Sequence, residues 1–130
     1  PVCYRVSGCG AQGLKDISMD NAERMAIARA CVDTSNDHDV DRIATMLAPD
    51  VAYRSSGVGA HDGAEAILAM NQVFFADYPD VCCDPENSRS IPDDEVEFDF
   101  TITLAGASHR GVERVFVGDN GRITRVEVER

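Results

Sequence analysis

Ser108-His-Arg-Gly-Val-Glu-Arg-Val-Phe-Val-Gly-Asp-Asn-Gly-Arg-Ile-Thr-Arg-Val-Glu-Val-Glu-Arg130 reads as two strands and a tight turn. Asn120-Gly121 is a strong hairpin signal. Alternate side chains of a strand share a face. His109 and Glu113 therefore fall on the face of Val115 and Val117. If that face looks into the core, two ionisable groups point inward. Burying a charge is costly, so the arrangement calls for a ligand pocket.

The strand before this pair has the clearest pattern in the chain. Val96, Phe98, Phe100, Ile102 and Leu104 alternate with Glu97, Asp99, Thr101 and Thr103. With residues 105–108 as the connecting loop, Leu104 pairs with His109, Phe98 with Val115, Phe100 with Glu113, and Asp99 with Arg114. A slip of one residue would bury Arg110 and Arg114, so face parity is fixed.

Upstream the period is helical. Asp20 and Glu23 form a capping box, and Met25, Ile27, Ala28, Cys31 and Val32 form the stripe of a first helix to about Ser35. Asp39 caps a second, with Val40, Ile43, Met46 and Leu47 inward and Pro49 as its stop. Residues 51–55 alternate as a short strand, with Tyr53 and Ser55 on one face, and 56–61 form a loop. Asp62 and Glu65 open a third helix with an inner stripe of Ile67, Met70, Asn71, Phe74 and Tyr78, ended by Pro79. Residues 81–89 read as a weak strand and Asp93-Asp94 as a turn. Residues 1–18, with Gly8, Gly10 and Gly13, show neither period. They read as an N-terminal arm, flexible or foreign to the natural chain, and leave 19–130 as one domain.

The chain has 130 residues, 44% hydrophobic and 27% charged, which suits one globular core. A net charge of −11 argues against a nucleic-acid surface. No apolar run is long enough to span a membrane. Five cysteines, at positions 3, 9, 31, 82 and 83, follow no zinc spacing, so no metal site is expected and a reducing cytoplasm is the plain reading.

The order of elements, with Leu47-Ala-Pro-Asp-Val-Ala-Tyr53, Asp62-Gly-Ala-Glu-Ala-Ile67, Phe75-Ala-Asp-Tyr-Pro-Asp80 and Gly118-Asp-Asn-Gly-Arg-Ile123, resembles the nuclear-transport-factor-2-like superfamily, which includes ketosteroid isomerase and SnoaL-like cyclases. The resemblance runs from about Asp20 to Arg130. It implies an α+β cone: three N-terminal helices packed on a strongly curved mixed or antiparallel sheet around an internal pocket. Laid on ketosteroid isomerase, the oxyanion-binding tyrosine falls on Cys31, the proton-shuttling aspartate on Ser55, and the protonated aspartate that also holds the oxyanion on Glu113. One carboxylic acid is kept, and the other two roles are lost.

The candidate catalytic groups are Glu113, with a carboxyl raised by burial, and His109, whose imidazole can serve as a general acid or base. Each has a plainer reading: a rim carboxylate, or a solvated edge histidine. Tyr53, Ser55, Asn71, Phe74, Phe98, Phe100 and Cys31 are the candidate substrate-binding residues. Tyr53 either donates to a ligand oxygen or is core with a wet hydroxyl, and the phenylalanines either wall a pocket or fill the core. The expected partner is a small hydrophobic molecule, with no cofactor. The function is that of an isomerase, lyase, cyclase or hydrolase working by acid–base chemistry, or of a binding module on the same cone. The outer sheet face, with Asp99, Thr101, Thr103, Val112, Arg114 and Phe116, suits a homodimer surface.

Overall fold

Asp20 opens the first helix with the expected capping box: its side chain accepts from the Glu23 amide at 2.8 Å, and Glu23 accepts from the Asp20 amide at 3.2 Å. The computed structural model describes residues 19–92 and 94–130, so the readings placed on residues 1–18 and on Asp93 lie outside them. Helix α1 is Asn21–Asn36, α2 is Val40–Ala44 and α3 is Ala64–Asp77. The strands are β1 (Leu47–Ser55), β2 (Gly59–Asp62), β3 (Cys82–Ile91), β4 (Glu95–Leu104), β5 (Ala107–Val117) and β6 (Ile123–Glu129). They form one mixed sheet in the order β2-β1-β6-β5-β4-β3, in which β1 and β6 run parallel and all other neighbours antiparallel. Three helices over this open six-stranded sheet make an α+β cone fold.

The core lies between the helices and the inner sheet face. Ala28, Val32, Ile43 and Ile67 meet Val51, Val96, Phe98, Phe100, Val115, Val117, Ile123 and Val126. Inner-face parity on β4, β5 and β6 follows the alternation of the sequence.

Four local expectations are corrected. First, the β4–β5 connection is the two-residue turn Ala105-Gly106, not a four-residue loop. Both residues have positive φ, 50° and 81°, as a type I′ hairpin turn requires. The Asp80 carboxylate accepts from both of their amides, at 3.0 and 2.9 Å. The register moves by two residues, so Phe98 faces Glu113, Phe100 faces Gly111 and Ile102 faces His109. A shift of two preserves every face, which is why parity survived. Second, Leu47 belongs to β1 rather than to the second helix. Third, Gly59–Asp62 is an edge strand paired with β1 rather than a loop. Fourth, α3 is capped by Gly63 (φ 92°) with no side-chain cap, because Asp62 ends β2 one residue before the cap position; its side chain pairs with Arg54 at 2.9 Å.

The outer sheet face carries a ladder of ion pairs in place of the expected Asp99–Arg114 pair. Arg89 holds Glu97 at 2.9 Å and Asp99 at 3.1 Å, and Arg114 holds Glu97 at 2.8 Å. Arg24, on the inner side of α1, is 6% exposed. Its Nε donates to the Val117 carbonyl at 3.1 Å, Nη1 to Met19 at 2.7 Å, and Nη2 lies 2.8–2.9 Å from Asp119 and Asp94. One guanidinium thus ties the start of α1 to the β3–β4 and β5–β6 turns.

Candidate functional site

Cross-strand pairing carries three named residues into one region. Ser55 pairs with Val128, Val128 with Glu113, and Glu113 with Phe98, so these four form a row across β1, β6, β5 and β4. Tyr53 begins the next row, through Val126 to Val115. At about 4.8 Å per strand, Ser55 and Glu113 sit roughly 10 Å apart at the backbone. The helices close over these rows. Asn36, at the end of α1, pins β3 in place: its side chain donates to the Cys83 carbonyl and accepts from the Cys83 amide, both at 2.8 Å.

Between helices and sheet lies a cavity of about 140 Å³. Cys31, Tyr53, Ser55, Asn71, Phe74, Phe100 and Glu113 all line it, with Ile67, Met70 and Val126 among its apolar wall. An apolar space of roughly 150 Å³ is enough to hold benzene, so this cavity matches one small ring.

Two candidate residues lie elsewhere. Phe98 is 2% exposed, packed in the core, and does not line the cavity. His109 is exposed and lies outside the cavity lining. It stands four positions from Glu113, which on a strand separates the two by about 13 Å. The expected acid–base pairing of His109 with Glu113 is therefore not formed. Same-face parity fixed direction but not reach.

Burial governs the electrostatics. The Glu113 carboxyl is raised to about 7 by desolvation. The Cys31 and Cys83 thiols are pushed up to about 12, first by burial and then by the nearby Glu113 charge. Tyr53 is likewise held protonated, by burial first and Glu113 second, with Ser55 as a hydrogen-bond partner. Ser55 Oγ also accepts from the amides of Gly57 and Val58, at 3.0 and 3.2 Å. It shapes the β1–β2 turn and carries no titratable group, so the position that resembles the isomerase base serves structure. Glu113 is the one carboxyl among the residues lining the cavity, and the neutral side chains of Tyr53 and Asn71 are also in that lining. Among the described residues no cluster of His, Cys, Asp and Glu is placed to hold a metal ion.

Sequence reasoning missed Arg130. Val126, Val128 and Arg130 share the inner face of β6 by parity, and all three line the cavity. That alternation was legible in the sequence.

The fold has known counterparts. The epoxide hydrolase/cyclase-like enzyme SalBIII, with a role in pyran ring formation in polyether salinomycin, superposes with a TM-score of 0.76 at 17% identity, over 85% of this chain and 92% of its own. A candidate ketosteroid isomerase from Kribbella flavida is 26% identical with a TM-score of 0.66, over 85% of this chain and 78% of its own. An uncharacterized cystatin-fold protein from Novosphingobium aromaticivorans gives a TM-score of 0.73 at 16% identity, over 82% of this chain and 97% of its own. No curated protein matches the chain. The family model of the SnoaL-like domain matches residues 28–126, which reach from α1 into β6 and hold every cavity residue named above except Val128 and Arg130. With its cone fold, this places the chain in the SnoaL-like domain family of the nuclear-transport-factor-2-like superfamily.

Proposed function

We propose that this chain is a cofactor-independent acid–base enzyme acting on a small hydrophobic substrate, as an isomerase or lyase that moves one proton. The observation that carries the proposal is a single carboxyl, raised to about 7 by burial, in a mostly apolar cavity. A general base works best with a pKa near the working pH. Ionised Glu113 removes a proton from the carbon beside a substrate carbonyl. The bonding pair moves into the carbonyl, and the oxygen gains negative charge. Protonated Tyr53 donates a hydrogen bond to that oxygen, with Asn71 as a second donor. Neutral Glu113 then returns the proton to a different carbon as the carbonyl re-forms, or gives it to a leaving group that departs with its bonding pair, and in either case Glu113 is ionised again. Cys31 and Cys83 stay as thiols at neutral pH and wall the site.

The cavity volume favours one ring over a fused polycycle. Conversion of cyclohex-3-enone to its conjugated isomer, followed by ultraviolet absorbance, is the test. The protein is expected to accelerate it above buffer. Glu113→Gln should remove the acceleration, and Tyr53→Phe should reduce it by about a hundredfold, the scale of losing one oxyanion donor. Equal rates with Glu113→Gln would overturn the assignment.

A further inference from the structure

The arginines of this acidic chain are almost all engaged. Arg24, Arg29, Arg54, Arg89, Arg114 and Arg125 each hold a carboxylate. Arg122 donates to the Leu47 carbonyl. The Arg130 guanidinium has no hydrogen-bonded or ion-paired partner among the described residues, whereas Arg110 belongs to the outer face of β5, where its charge acts on Asp99. Val112 pairs with Glu129, so Gly111 meets Arg130, and His109 and Arg110 run past the end of β6. Ser56, Gly57, His109, Arg110 and Arg130 line one groove, and Arg130 also lines the main cavity. Arg130 is thus common to this groove and to the apolar cavity.

Arg130 is also held in place. Its amide donates to Ser56 Oγ at 3.0 Å. A Cβ at Gly57 would run into its guanidinium, and a Cβ at Gly111 would come within 2.9 Å of its own Cβ and 2.6 Å of the Phe100 ring. Two bare glycine faces thus seat the stem and head of one arginine at the cavity rim. Gly111 lies one inner-face position along β5 from Glu113, so the guanidinium's seat is about 7 Å from the carboxyl's at the backbone.

We propose that Arg130, with His109 beside it, forms an anion-binding rim, and that the ligand of this cavity is a small apolar molecule bearing a carboxylate. A guanidinium matches a carboxylate with two parallel N–H donors. The apolar part enters the cavity toward Glu113, and the carboxylate stays at the wet rim. The proposal rests on the cavity being a ligand site, as the acid–base reading requires, and it sets the substrate class of that site.

Phenylacetate and phenylacetamide differ in charge and hardly in shape, so they are the probes. Binding to the full chain is measured by titration, with methyl and amide chemical shifts of Ile67, Val126 and Gly111 locating the site. Phenylacetate is expected to bind about tenfold tighter than the amide, the scale of one charge-assisted contact. Arg130→Gln, at an exposed position, should abolish that preference. Gly57→Ala, which displaces the guanidinium, should weaken it. Equal affinities in the unaltered chain, or a preference that survives Arg130→Gln, would overturn the anion rim and leave the cavity reading standing. If neither probe shifts the cavity resonances, both the rim and the cavity reading fall.

Discussion

Glu113→Gln is expected to stabilise the protein at pH 8 by about 3 kcal/mol and to have almost no effect at pH 4. The estimate follows from the carboxyl being raised from 4.5 to about 7 by burial, at 1.36 kcal/mol per unit. Between these values the folded chain binds the proton that the unfolded chain has released. Stability therefore falls as pH rises through that window, and is flat above about 7. Glutamine fits the same space, stays neutral and removes the slope. With a urea dependence of about 1–3 kcal/mol per molar, the unfolding midpoint at pH 8 should rise by roughly 1–3 M. Parallel wild-type and variant curves across pH 4–8 would contradict it. The same substitution should abolish proton transfer, so stability and activity move in opposite directions. Such a trade is expected where a charge is held in an apolar site for function.

Arg24→Met is expected to be the most damaging change outside the cavity, with a loss of about 2–4 kcal/mol in denaturant unfolding. Methionine keeps the apolar stem and removes all the donors. The Val117 and Met19 carbonyls lose their charged partner, and hydrogen bonds to charged groups are worth roughly 1.5–3 kcal/mol each. The loss falls short of a fully buried broken pair because Asp94 and Asp119 are 51% and 64% exposed and can rehydrate. A change under about 0.5 kcal/mol would show that the three joined segments hold their positions without it.

The two substitutions mark what the sequence does and does not display. Glu113 was found by parity alone: period-two alternation on β5 assigned its face, and its neighbours Val115 and Val117 showed which face was inward. Arg24 sits on the same helical stripe as Ala28 and Val32, yet a charged residue there looks like an error of phase until the acceptors from two distant turns are known. Turn length was the weak point of the hairpin. Ala105-Gly106 adopts two positive φ angles without an Asn-Gly or Asp-Gly signature, helped by Asp80 from another loop, so the local sequence pointed to a longer connection. β2 has only four residues and no alternation of its own. It is ordered by pairing with β1, a non-local cause that no local pattern carries. His109 was misplaced for a metric reason, since parity is preserved over any even separation while reach is not. Arg130, by contrast, could have been found by extending the alternation from Val126 and Val128.

The central claim is that the half-buried Glu113 carboxyl, the one carboxyl lining the cavity, titrates near neutrality. Its direct test is the carbon-detected magnetic-resonance titration of the Glu113 side chain in the folded protein. A midpoint near 7, moving alone among the glutamates, is the predicted result; a midpoint at or below 4.5 would contradict the account.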